Sequence, residues 1–120
     1  MREIVSGNPN SMIFVLDEPG QGNACHKYRV AEGFEPIGEN NPAFAEVSFQ
    51  DGPIREFGVN GCHQEDLLAI VIDRLESFQA GDFKCRENAL ALTKCQEAMH
   101  WLNHRTSVRQ LRGVEGTNKQ

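Results

Sequence analysis

The feature that most restricts the fold of this chain is a change in the spacing of its apolar residues after Asn60-Gly61. From Gln64 to Gln79, the residues Leu67, Leu68, Val71, Ile72, Leu75 and Phe78 recur at intervals of three and four, which is the period of an amphipathic helix. Glu65 and Asp66 stand in its first turn, where negative charge complements the helix dipole. Ala80-Gly81-Asp82 interrupts the pattern, with Gly81 suited to a helix C-terminus and Asp82 to the next N-cap. A second helix is expected from about Phe83 to about Arg112, with Leu92, Cys95, Met99 and Leu102 on one stripe. So short a connection forces the two helices to lie antiparallel. The second is the longer, so its final turns run past the first and must pack elsewhere or face a ligand.

Before Asn60 the pattern is that of short strands separated by turns. Candidates are Met12–Leu16, Tyr28–Val30 with its neighbours, Phe44–Phe49 and Ile54–Val59. Asp51-Gly52-Pro53 is a strong turn sequence and predicts that the last two form a hairpin. Gln21-Gly22-Asn23 and the Gly-, Asn-, Glu- and Pro-rich stretch 32–42 are expected to be loops. The fold class is therefore α+β: a small antiparallel β-sheet in residues 1–61, followed by a long antiparallel two-helix hairpin with a Gly-containing tail in residues 62–120. At 120 residues, one compact domain is expected.

Composition narrows the function classes. Hydrophobic residues make up 39% and charged residues 24%, and no apolar run approaches the length of a bilayer, so no membrane association is expected. Met1–Gly7 lacks the basic-then-apolar design of an export signal, which predicts a cytoplasmic protein. Cys25, Cys62, Cys85 and Cys95 contain no Cys-x-x-Cys pair. Cys85 and Cys95, about 15 Å apart if joined by helix, are too distant for a disulfide, so reduced thiols are expected. The net charge of −5 is unevenly distributed: residues 1–85 hold 6 Lys/Arg against 14 Asp/Glu, whereas residues 86–120 hold 6 against 3. Polymeric nucleic acid would be repelled by most of such a surface, while a compact anion could be received at the basic end.

Arg105, Arg109 and Arg112 recur at spacings of four and three, which places three guanidinium groups on one helix face. The planar fork of arginine matches two phosphate oxygens at once, although such residues also suit a helix C-terminus for electrostatic reasons alone. Trp101 lies one turn earlier and is either a core residue or a stacking partner for Arg105. The following Gly113-Val114-Glu115-Gly116-Thr117 is a helix cap with a tail, or a set of backbone amides aimed at an anion. Phe78 is a core residue or a platform for a purine ring. Asn88 is an indifferent helix former near the start of the second helix, and its amide can both donate and accept at a base edge.

Glu97, His100 and His104 share a helix face, but His26 and His63 add no matching metal-ligand spacing, so no metal site and no cofactor are expected. None of the hydrolase, nucleotide-loop or zinc-protease signatures is present, and no catalytic residue is assigned. Three readings stand on these grounds. They are a non-catalytic binder of phosphate-bearing small molecules, an enzyme hydrolysing cyclic nucleotides with His100 or His104 as acid or base, and a small nucleic-acid-binding regulator.

The segments Gly58-Val59-Asn60-Gly61, Glu65–Leu75, Arg86–Lys94, His100-Trp101-Leu102, His104-Arg105-Thr106 and Arg112–Thr117 together resemble the phage Thoeris anti-defence sponges. That family shares its hairpin with the anti-CBASS sponges, and the resemblance covers roughly residues 44–117. It implies a protein in the host bacterial cytoplasm that binds, without cleaving, the cyclic ADP-ribose isomers made by bacterial TIR enzymes. Cyclic di- or trinucleotides are implied as ligands of a second kind of site. By position, Phe78, Asn88 and Arg105 are implied to hold the ADP-ribose isomer, and Arg109, Arg112 and Gly113 to Thr117 the other ligand. Arg55 is counted among the ligand-binding residues as well. Asn88 and Arg105 are 17 positions apart on one helix, about 25 Å, which is too far for one small ligand. A pocket completed between two copies is therefore expected, in keeping with the dimers and hexamers of the family.

Overall fold

The protein is described here by a computed structural model that covers residues 2–33 and 41–113. Its contacts divide the chain into two compact units, residues 1–62 and 63–120.

The first unit is a four-stranded antiparallel meander in the order β1 (Arg2–Ile4), β2 (Ser11–Val15), β3 (Lys27–Glu32) and β4 (Ala43–Ser48). Its register pairs Arg2 with Val15, Ile13 with Val30 and Tyr28 with Val47, and shifts at Val30/Ala31. Phe14, Val15, Cys25 and Ala31 form its buried apolar core. Successive strand residues point to opposite sides, so the burial of both Phe14 and Val15 means that both faces are covered at the end of β2. Asn41, also buried, donates from Nδ2 to the Glu32 carbonyl at 2.7 Å, and its own carbonyl accepts from Arg29 Nη2 at 2.8 Å.

A charged tie closes the turn between β2 and β3. Asp17 accepts the backbone N–H groups of His26 and Lys27 at 3.0–3.1 Å. The buried His26 ring lies between two carboxylates, with Nδ1 3.7 Å from Asp17 and Nε2 3.7 Å from Asp51. Burial pulls the Asp17 carboxyl upward, but the N–H groups of Lys27 and His26 and the charge of His26 outweigh it and leave its pKa below the ordinary aspartate value.

The expected strand Ile54–Val59, and with it the hairpin to Phe44–Phe49, does not form. Ile54–Phe57 is instead a single helical turn, α1, entered from Pro53 and left through Gly58 at φ 71°. Two side-chain amides compete successfully for the backbone groups that a hairpin would have used. Gln50 Nε2 donates to the carbonyls of Gly52 and Gly58 at 3.2 and 2.8 Å, and its Oε1 accepts from Asn60 N. Asn60 exchanges two bonds of 2.8 Å with the backbone of Asp51. The loop so closed returns the chain beside β4, where Cys62 N donates to Ser48 O and Phe49 bridges Cys62 in parallel.

The second unit is the hairpin of α2 (Gln64–Gln79) and α3 (Arg86–Leu111). The first helix has the expected limits. At its start the His63 N–H donates to the Asp66 carboxylate at 2.9 Å. The second begins three residues later than expected, and its N-cap is Cys85 rather than Asp82: the Cys85 sulfur accepts the Asn88 N–H at 3.4 Å. All four cysteines are free. Among the described residues, no helix is long and apolar enough to cross a membrane.

Candidate ligand-binding site

Leu67, Leu68, Ile72, Leu75 and Phe78 of α2 and Leu92, Cys95, Met99 and Leu102 of α3 are the half-buried seam of the hairpin. Not one of them is fully buried, because two helices present only one line of contact to each other. Beside this seam, Leu67, Leu68, Val71, Ala98, Trp101 and Leu102 line an open apolar groove of about 510 Å³. Trp101 is 65% exposed there, so of its two sequence readings the core is the one that fails within this chain. It packs edge-on against the rings of its helix neighbours His100 and His104.

Apart from Arg55, the expected site residues that are described lie toward the two ends of the hairpin. Phe78 closes α2 and Asn88 opens α3, so the short connection brings both to the tip. Asn88 is half-buried, and its side-chain amide makes no hydrogen bond among the described residues. The tip is braced from below: Gln79 Oε1 accepts from Cys85 N at 3.0 Å, and Gly81 N donates to Phe78 O at 3.2 Å. Two residues that sequence reasoning passed over complete this end. Phe83, 75% exposed, meets Phe78 edge-on at 6.4 Å between centroids. Arg74, one turn before Phe78, holds its guanidinium carbon 5.3 Å from the centre of that ring. The spacing of four between Arg74 and Phe78 was the available signal, since such pairs meet on a helix surface.

Arg105 lies exposed at the other end of α3, about 25 Å of helix away from Asn88. Antiparallel pairing sets the start of α2 beside Trp101 and Leu102, which with Gln64 line the same groove, so Arg105 stands about one turn beyond the first residue of α2. The three arginines are not equivalent. Arg109 is buried, at 8% exposure, whereas Arg105 and Arg112 are exposed. Gly113 has φ 73°, the left-handed cap that ends α3, and its N–H donates to Gln110 O. Val114 to Thr117 lie outside the described residues. Arg55 is exposed on α1 of the first unit. Glu97 pairs with Lys94 at 3.7 Å, and the rings of His100 and His104 stack on each other.

The hairpin thus carries a ring with a cation over it and an open amide at its tip, and an exposed arginine remote from both. Thoeris anti-defense 1 of Bacillus phage SBSphiJ7 is 57% identical over 76 residues, which are 63% of this chain and 54% of that protein. The chain thus spans about half the length of this relative. Residues 41–107, which include Arg55, Phe78, Asn88 and Arg105, match the hairpin domain described as Acb2/Tad1. That match extends over more than half of the chain, and the protein therefore belongs to the Acb2/Tad1 hairpin-domain family.

Proposed function

We propose that this chain is a phage anti-defence sponge that sequesters, without cleaving, cyclic ADP-ribose-type signals of bacterial Thoeris TIR enzymes in the host cytoplasm. The observation that carries the reading is the division of the site between the two ends of one hairpin, within a domain named for anti-defence proteins. In a single copy, Phe78 and Asn88 cannot share a small ligand with Arg105. Two copies related by a two-fold axis across the hairpin can, because such an axis superposes the tip of one on the arginine end of the other.

The apolar groove supports this arrangement. Midway between positions 88 and 105, α3 passes Gln96 and Glu97, and the groove opens just past that point at Ala98 and runs on to Trp101 and Leu102. An axis through the groove thus covers exposed apolar surface with a second copy and assembles two equivalent clefts in one step. In each cleft Phe78 stacks the adenine, Asn88 reads a polar edge and the partner copy supplies the guanidinium of Arg105 to the pyrophosphate. Arg109, Arg112 and the segment from Gly113 to Thr117 are assigned to a second site for cyclic di- or trinucleotides, and Arg55 to the ligand-binding set. Assembly of dimers into hexamers is part of the same proposal.

The experiment is to incubate the full chain with cyclic ADP-ribose and its glycocyclic isomers, denature it by heat and analyse the released small molecules. Recovery of intact ligand at one molecule per site is the expected result. Turnover beyond that stoichiometry would assign the chain to hydrolysis instead. Native mass spectrometry of the same mixture reports the number of chains per assembly. Arg105→Ala is expected to weaken capture sharply while leaving the assembly intact.

A further inference from the structure

We infer that Arg74 belongs to the ligand site and grips the pyrophosphate from the protomer that supplies Phe78, opposite the partner copy's arginine. The inference rests on the reading just proposed and adds a residue to it. Arg74 is exposed, and its guanidinium carbon lies 5.3 Å from the centre of the Phe78 ring, inside the range of about 6 Å over which a cation is drawn to an aromatic face. Among the described residues no carboxylate lies within 4.0 Å of it, so its charge is not neutralised by an ion pair there. Phe83 fixes the edge of the same ring, and the Gln79 and Gly81 hydrogen bonds fix the connection beneath it. The cation thus lies beside the aromatic ring, and its guanidinium makes no ion pair among the described residues.

Charge matching gives the class of ligand. A purine stacked at Phe78 carries its phosphates past the guanidinium, and the planar fork of arginine donates to two phosphate oxygens at once. The pyrophosphate of a cyclic ADP-ribose isomer carries one negative charge on each of its two phosphates. One arginine from each protomer, Arg74 and the partner copy's Arg105, balances both. A lone Arg105 would leave one phosphate desolvated in the cleft without a partner, which is the costly outcome for a buried charge.

The test uses the full chain and calorimetric titration with cyclic ADP-ribose and its glycocyclic isomers at several salt concentrations. Arg74→Met keeps the aliphatic stem over Phe78 and removes the charge. It is expected to weaken binding about tenfold or more, as loss of charge-assisted hydrogen bonds entails, and to flatten the dependence of affinity on salt. Arg74→Lys should restore the salt dependence and part of the affinity. Circular dichroism of both variants should match that of the unmodified chain. Binding by Arg74→Met within twofold of the unmodified chain, with the same salt dependence, overturns this inference alone. Failure of the unmodified chain to bind any isomer overturns the sponge reading and this inference with it.

Discussion

Gly61 is the position at which a single added methyl group tests the architecture of the first unit. A Cβ built there lies 2.5 Å from the Phe49 carbonyl carbon and 2.6 Å from the oxygens of Phe49 and Ser48. Side chains could yield, but these are backbone atoms of the segment that Cys62 must approach. Relief requires the return strand to move away, which breaks the bonds Cys62 N to Ser48 O at 2.9 Å and Gln50 N to Cys62 O at 2.8 Å. Two backbone bonds at about 1 kcal/mol each, with residual strain, give a loss of about 2–3 kcal/mol for Gly61→Ala. In a unit of this size that lowers the thermal midpoint by about 10–20 °C. Gly81→Ala is the matched control, because its added Cβ meets nothing closer than Ser77 O at 3.5 Å and should change stability by no more than about 0.5 kcal/mol. Thermal unfolding followed by far-ultraviolet circular dichroism reads both. A midpoint for Gly61→Ala within 2 °C of the unmodified protein, by the order-of-magnitude conversion above, would refute the close approach and the parallel bridge built on it.

Three further outcomes are expected. Asp17 has a lowered folded-state pKa, so the stability it contributes is present above its unfolded value of 3.8 and is lost as the pH falls through the folded value; Asp17→Asn should flatten the acid limb of a midpoint-against-pH curve and leave less stability at neutral pH, and an unchanged acid limb would contradict the assignment. Phe14→Ala removes a ring that is 4% exposed in the core of the sheet and should cost about 3–5 kcal/mol, enough to abolish the cooperative transition of the first unit, which denaturant titration would detect. Trp101→Glu places a charge in the groove at a side chain that the single chain leaves 65% exposed; helicity should persist while self-association weakens about 30-fold or more, as for an interface hot spot, and an unaltered sedimentation profile would argue against the groove as the contact between copies.

Two helices alone make a hairpin too thin to hold its own core. In a larger helical domain Leu67, Leu68 and Val71 would be covered by a third helix; here they share a groove with Trp101, and the site residues flank that groove at opposite ends. On the proposed reading, self-association and ligand capture would both follow from this geometry, and the Arg105 and Trp101 substitutions are the means of separating them.

Residues 64–111 were legible from sequence because helix formation is a local matter. The three-four spacing from Leu67 to Phe78 and the break at Ala80-Gly81-Asp82 determined two helices and their antiparallel course before any long-range contact is considered. The first half was legible only in part, since strands acquire their identity from partners distant in sequence. Arg2–Ile4 is too short and too exposed to carry a pattern, and becomes β1 only by pairing with Ile13 to Val15. Ile54–Phe57 has the alternation of a strand, yet hydrogen bonds from Gln50 and Asn60 close the loop around a helical turn. In the site, residue types pointed to Arg105, Arg109 and Arg112 alike, and only tertiary burial sets Arg109 apart from the other two. The cation above Phe78 likewise belongs to the folded surface: its spacing was written in the chain, but that Arg74 lies over this ring, with no carboxylate partner among the described residues, is decided by how the hairpin tip packs.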